Sequence, residues 1–317
     1  MKRGMFRIFY IKKVTVLMLT GMQIAVIGGD ARQLEVVRKL TELDAKLLLV
    51  GFEQLDHAFT GAVKEKMEDI NFKEIDSVIL PVRGTDSDGK VETIFSSEEV
   101  VLTEEMIKNT PAHCTFYAGI SNDYLNGIFK KADRKLVLLF ERDDVAIYNS
   151  IPTVEGAIMM AIQHTDFTIH GSNVAVLGLG RVGMSVARSF QALGAKVKVG
   201  ARKSEDIARI SEMALTPFHL NDLASEMKNV DICINTIPFP IITAKVIANM
   251  PVHTLIIDLA SKPGGTDFRY AEKRGIKALL APSLPGIVAP KTAGQILANA
   301  LGLLIQDECL IRKGKKL

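Results

Sequence analysis

The stretch Asn173-Val-Ala-Val-Leu-Gly178-Leu-Gly180-Arg181-Val182-Gly183-Met-Ser-Val-Ala constrains the fold more than any other part of the chain. Val174 to Leu177 is apolar and β-branched, and Met184 to Leu193 has helical spacing. The glycines therefore sit between a buried strand and a helix, the context in which this spacing is informative. Gly178 permits the tight turn, Gly180 lets a backbone approach a pyrophosphate, and Gly183 lets the helix pack on the strand. Arg181 and Val182 open a helix whose free N–H groups and positive dipole end suit phosphate. A dinucleotide site is expected here.

The next strand, Ala195 to Gly200, selects the dinucleotide. An NAD site carries an acid at this strand end to hold the ribose 2′-hydroxyl. The chain has Ala201-Arg202-Lys203-Ser204 instead. Two cations and a hydroxyl suit a 2′-phosphate, which a guanidinium binds as a charge-assisted, often bidentate, pair. NADP is expected over NAD. Three more strand ends point at the same crevice: Asn235-Thr236-Ile237-Pro238, Asp258-Leu-Ala260 with the Gly264-Gly265 loop, and Ala281-Pro-Ser283-Leu-Pro285. Asn235, Thr236, Ile237, Pro238, Asp258, Ala260, Ser283 and Pro285 are expected to line the cofactor site.

The rest of the chain repeats the strand–helix rhythm. Strands are expected at Met22 to Ile27, Lys46 to Val50, Ser77 to Leu80, Cys114 to Tyr117 and Leu136 to Leu139. Helices are expected over 31–43, 103–109 with Thr103 as N-cap, and 121–131. Residues 84–100 read as a flexible excursion. Gly28-Gly29 has no third glycine at packing distance, so this first α/β domain is expected to carry no nucleotide of its own. A helix opening at Asn149, with Pro152 in its first turn, links to the second half. There, strands are expected at 173–178, 196–200, 215–218, 231–235, 254–258 and 276–280. Gly286 to Asp307 reads as one long helix crossing back to the first domain. The fold class is α/β: two doubly wound parallel-sheet domains, a flavodoxin-like N-terminal domain and an NAD(P)-binding Rossmann domain, linked by long helices. The expected boundaries are 1–17 outside the fold, 18–150, 151–285 and 286–317, with a substrate cleft between the domains.

At 317 residues the length accommodates two domains, and 48% hydrophobic residues suffice for both cores. The formal charge of +3 comes from residues 1–17, which hold Lys2, Arg3, Arg7, Lys12 and Lys13 and no acid; the remaining body stands at −2. Nothing there points to nucleic acid. The basic start resembles a signal peptide poorly, because Lys12 and Lys13 interrupt its apolar run. Met18 reads as the better initiator. No membrane-spanning run is expected. Cys114, Cys233 and Cys309 lie far apart without a CxxC, as buried thiols in a reducing compartment do. No histidine pair has metal-ligand spacing.

Five segments together resemble the A subunits of the dipicolinate synthases of spore-forming bacilli. They are Ile24-Ala-Val-Ile-Gly-Gly-Asp-Ala-Arg-Gln33, Gly178-Leu-Gly-Arg-Val-Gly183, Asp231-Ile-Cys-Ile-Asn-Thr-Ile-Pro238, Asp258-Leu-Ala-Ser-Lys-Pro-Gly-Gly-Thr-Asp267 and Leu280-Ala-Pro-Ser-Leu-Pro-Gly-Ile-Val-Ala-Pro-Lys-Thr-Ala-Gly294. The similarity runs from Met18 to about Gln306. It implies an oxidoreductase that takes dihydrodipicolinate to dipicolinate in the mother-cell cytoplasm during sporulation. It also implies that the partner is the flavoprotein-like B subunit of dipicolinate synthase, and a homo-oligomer within a hetero-oligomer is expected. Such a site needs cations to hold a dicarboxylate in hydride-transfer geometry. Arg32, Arg83, Lys262 and Lys291 are the candidates, with Thr292 or Ser283 as hydroxyl donors. Two other readings stay open. The chain can be an NADP-binding and docking subunit whose partner supplies the substrate site. It can also be a related two-domain dehydrogenase, although that class would carry a His–Glu pair or a catalytic Lys that the sequence does not display.

Overall fold

Short apolar runs in the first part of the chain become strands buried on both faces, as parallel sheets require. The computed structural model describes residues 18–56, 58–261, 263–312 and 314. The expected N-terminal extension and Lys262 lie outside the described residues. In chain order the strands are β1 (Gln23–Ile27), β2 (Lys46–Val50), β3 (Ala62–Lys64), β4 (Ser77–Ile79), β5 (Lys90–Val91), β6 (Val100–Val101), β7 (Thr115–Ala118) and β8 (Lys135–Leu138). The helices among them are α1 (Ala31–Glu42), α2 (Glu104–Lys108) and α3 (Asp123–Ala132). Six strands form one sheet in the order β3-β2-β1-β4-β7-β8, with parallel pairing where register is defined. Without β3 the order is the flavodoxin-like one; β3 adds a sixth strand at the edge.

The excursion over 84–100 is a ribbon, which corrects the expectation of a flexible segment. β5 pairs antiparallel with β6, and Asp86 Oδ1 accepts from the amides of Asp88 and Lys90 at 2.9 Å. Val91 and Val100 are buried beneath it. Two-residue strands in a Gly- and Asp-rich run leave no periodicity to read.

The second sheet holds β9 (Asn173–Leu177), β10 (Lys196–Ala201), β11 (Thr216–His219), β12 (Ile232–Asn235), β13 (Leu255–Asp258) and β14 (Lys277–Leu280). Its order is β11-β10-β9-β12-β13-β14, all parallel, the dinucleotide-binding arrangement. Its helices are α4 (Asp143–His164), α5 (Arg181–Ala192), α6 (Ser204–Glu212), α7 (Leu223–Glu226), α8 (Ala244–Ile247), α9 (Phe268–Lys273), α10 (Leu284–Val288) and α11 (Pro290–Arg312). One core layer joins Val174, Val176, Val186, Phe190, Ile232 and Ile234. The other joins Ala175, Leu177, Cys233, Ile247 and Ile256.

Three expectations are corrected here. α4 begins at Asp143, not Asn149, so Pro152 lies inside it and forgoes the bond to the Tyr148 carbonyl. Thr153 Oγ1 donates to the Asn149 carbonyl one turn away at 2.8 Å. With its true start, α4 is the one described helix long and apolar enough to cross a membrane; Val154, Ala157 and Ala161 on it pack into the core of the second unit. The expected single helix over 286–307 is two, α10 and α11, parted at Ala289.

Packing divides the chain into two units, one running to Val137 and resuming at Ala298, the other spanning Leu138–Leu297. The divisions therefore fall before 150 and after 285. In the first unit the end of α11 is tied to the sheet. Glu308 accepts from Thr115 Oγ1 and Tyr117 OH at 2.8 Å, and Arg312 donates to Asp76. Burial pushes the Tyr117 hydroxyl far above its ordinary value, and the Glu308 charge adds to it. Burial likewise pushes the Cys114 and Cys233 thiols up to about 12, so both are protonated at neutral pH.

Candidate functional site

The second sheet reverses its winding between β9 and β12, and ligands of such sheets bind beyond the strand ends at that point. The glycine turn follows β9 there. Gly178 has φ +96°, and a side chain on it would meet Thr236 Oγ1 at 2.8 Å. A Cβ on Gly183 would run into the Gly178 carbonyl oxygen. A Cβ on Gly180 would meet nothing within 4 Å. Two glycines are thus demanded by packing, and the third faces open space in front of a helix start. Gly180 caps α5 without a side chain, which leaves the first-turn amides free for an anion. The site fits a dinucleotide pyrophosphate. Arg181, exposed at the helix start, pairs with Asp143 at 3.0 Å.

β10 delivers Arg202, Lys203 and Ser204 to solvent. Lys203 Nζ lies 3.9 Å from Glu205, whereas Arg202 makes no ion pair among the described residues. No carboxylate stands between Ala201 and Ser204 at the strand end itself.

The other strand ends divide into surfaces and supports. Pro238 and Ser283 are exposed, and Val182, Thr236 and Ile237 are half-buried. Thr236 holds the turn: its amide and Oγ1 both donate to the Leu177 carbonyl, at 3.0 and 2.7 Å. Ser283 adopts φ +62°, uncommon for a residue with a side chain. Asn235 and Asp258 are 0% exposed, which corrects their assignment as cofactor contacts. Asp258 Oδ1 accepts from Asn235 Nδ2 and the Ala260 amide, at 2.9 and 3.1 Å. Its Oδ2 accepts from the Gly265 amide and Thr266 Oγ1, both at 2.7 Å. The carboxylate is a pin for the loop after β13. Ala260 and Pro285 are buried too and act as packing.

The first unit treats its own glycine turn differently. The Gly29 amide donates to the Glu92 carbonyl at 2.6 Å, and Ile94 donates back to Gly29. The ribbon therefore occupies the amide that a phosphate would use. Asp30 fills the anion position at the α1 start, accepting from the Arg32 amide at 2.9 Å. The Arg32 guanidinium forks onto the same carboxylate, Nε at 2.9 and Nη2 at 2.6 Å. Burial raises the Asp30 carboxyl, but the Arg32 hydrogen bonds and charge outweigh it and hold the group below the usual range. Arg32 is thus 9% exposed and neutralised, a correction to its role as a free substrate cation. Arg83 is the opposite case. It is exposed, makes no ion pair among the described residues, and lines a 510 Å³ cavity with Thr85, Asp86, Ser121, Asn122, Asp123 and Tyr124, two of them acids. Lys291 and Thr292 are exposed in the first turn of α11. Sequence reasoning misses the Glu92–Ile94 cover over Gly29 and the Asp143 partner of Arg181, because both are tertiary contacts with no motif.

Two doubly wound sheets, one bearing an open dinucleotide turn, define a two-domain oxidoreductase of the nicotinamide-dependent dehydrogenase type. Residues 23–140 match the N-terminal domain of the dipicolinate synthase A subunit, and residues 146–313 match the alanine dehydrogenase/PNT C-terminal domain. The dipicolinate synthase A subunit of Bacillus subtilis is 66% identical over 290 residues, 92% of this chain and 98% of that protein. The crystal structure of the Bacillus halodurans A subunit matches with a TM-score of 0.90 at 66% identity, over 91% of this chain and 99% of that one. The chain belongs to the family of dipicolinate synthase A subunits. A Sinorhizobium meliloti transhydrogenase, 15% identical, shares the fold with a TM-score of 0.64 over 89% of this chain and 94% of its own.

Proposed function

We propose that this chain oxidises dihydrodipicolinate to dipicolinate with NADP, acting with the flavoprotein-like B subunit of dipicolinate synthase in the mother-cell cytoplasm during sporulation. The observation that carries the reading is the open turn at Gly180, with Arg202 exposed after the neighbouring strand, in a chain 66% identical to a dipicolinate synthase A subunit. The reaction removes a hydride and a proton from a ring bearing two carboxylates, and the nicotinamide supplies the hydride acceptor. Aromatisation drives the step, so the chain's task is mainly to orient. Arg83, exposed and without an ion pair among the described residues, is suited to one carboxylate. Lys291 and Thr292, exposed in the first turn of α11, and Lys262 are further proposed substrate contacts. The exposed apolar residues Ile147, Tyr148 and Ile151 on α4 support assembly with further subunits.

The test is turnover by the purified chain. Dihydrodipicolinate is generated in the cuvette, NADP is added, and NADPH is followed with and without the partner. Turnover by the chain alone supports a complete site. NADP binding that gives turnover only with the partner means the site is shared with that partner. Arg202→Ala is expected to weaken NADP⁺ about 10- to 100-fold, the loss of a charge-assisted hydrogen-bonded pair. NAD⁺ is expected to move within twofold. Equal weakening of both in a calorimetric titration would remove the 2′-phosphate role.

A further inference from the structure

The last ladder pair between β10 and β11 is Ala201 with His219. Beyond it the sheet no longer holds β10, yet this is where Arg202 must be presented. The His219 ring continues the connection. Nδ1 lies 3.1 Å from the Asn221 amide, and Nε2 lies 3.1 Å from the Arg202 carbonyl oxygen. An amide N–H can only donate, so Nδ1 accepts and the proton is on Nε2, which donates to Arg202. The half-buried ring is a strut from the 3₁₀ turn after β11 to the residue after β10. Its neighbours are tightly set. A side chain on Gly200 would meet Phe218 Cζ at 2.6 Å and Leu220 Cδ2 at 2.8 Å. The residues flanking His219 thus fix β10 before its end, and His219 fixes the residue after it.

We propose that His219 is a positioning residue for 2′-phosphate recognition: by holding the Arg202 carbonyl it fixes the point from which the guanidinium reaches the phosphate. The inference rests on the NADP reading above. A bidentate guanidinium–phosphate pair depends on direction as well as charge, so a wandering Arg202 loses selectivity before it loses the adenosine half of the site.

Two variants separate the strut's halves. His219→Gln carries an amide N–H that can reach the Arg202 carbonyl, while His219→Asn keeps an acceptor for the Asn221 amide but is too short for Arg202. Affinities for NADP⁺ and NAD⁺ are measured by calorimetry on the full chain, with melting curves as the fold control. His219→Asn is expected to weaken NADP⁺ about tenfold, one charge-independent hydrogen bond's worth, with NAD⁺ within twofold. His219→Gln is expected to hold NADP⁺ within about threefold of wild type. A wild-type preference for NADP⁺ that His219→Asn leaves intact, or a parallel loss of both nucleotides, overturns the role of His219 alone. A wild-type chain that binds both nucleotides equally overturns the NADP reading itself.

Discussion

Alanine at Gly180 is expected to abolish measurable dinucleotide binding and to leave the melting temperature almost unchanged. The methyl group has room, since nothing lies within 4 Å of it, and φ at this position is −74°, where alanine is at ease. Losing glycine as the N-cap of α5 costs less than about 1 kcal/mol. In the proposed cofactor site, the space the methyl enters is where the pyrophosphate would approach the first-turn amides. Two amide–phosphate bonds at about 1.5–3 kcal/mol each are then lost, a fall of a hundredfold or more in affinity. Gly183→Ala is the counter-experiment. Its methyl collides with the Gly178 carbonyl, so α5 must move off β9 and stability falls with binding. Calorimetric titration with NADP⁺ beside thermal melting separates the two. A Gly180→Ala chain that still binds normally would show that the turn does not carry the pyrophosphate.

How much of this is legible in the sequence depends on what each residue's role leaves in its neighbours. The glycine turn is written in local spacing, and both of its packing glycines and its open one have the geometry the spacing implies. Long apolar strands such as β9 and β12 are equally plain, because burial on both faces demands uninterrupted apolar runs. β3 is not, since its three residues are half-buried or exposed and an edge strand needs no such run. α4 reads six residues short because Pro152 resembles a helix opener; only packing shows that its interior position is tolerated. The strand-end polar residues are the least legible. Asn235 and Arg202 both stand at strand ends and both are polar, yet one side chain turns into the sheet and the other into solvent. Side-chain direction at a strand end is set by the next loop. For Asn235 that loop turns back over the side chain itself: Oδ1 accepts from the Ile237 amide at 3.0 Å and Nδ2 donates to the Ile237 carbonyl at 3.1 Å. Arg32 shows the same limit in charge: its partner Asp30 lies two residues away, but adjacency alone does not say that the fork closes.

Asp258→Ala is expected to destabilise the second unit by about 3–5 kcal/mol, because a fully buried carboxylate with four donors is removed and its donors remain. For a unit of this size that is a fall of roughly 10 °C in melting temperature. Asn235 keeps both its bonds to Ile237, Nδ2 to the carbonyl at 3.1 Å and Oδ1 from the amide at 3.0 Å, but the Ala260 and Gly265 amides and Thr266 Oγ1 lose their acceptor. Asp258→Asn is not a rescue. One of its two terminal atoms becomes an NH₂: on one side it meets the Asn235 NH₂ and the Ala260 amide, on the other the Gly265 amide, so at least one backbone amide loses its acceptor even where the Thr266 hydroxyl turns to accept. The two variants should therefore fall together in stability, and both should loosen the loops after β12 and β13 that flank the glycine turn. Saturating NADP⁺ should recover part of the melting temperature in each, because a ligand that binds only the folded chain stabilises it by mass action. A chain with Asp258→Asn that melts like wild type would show that the carboxylate's charge is not what holds the loop, and the pin would then be one of shape.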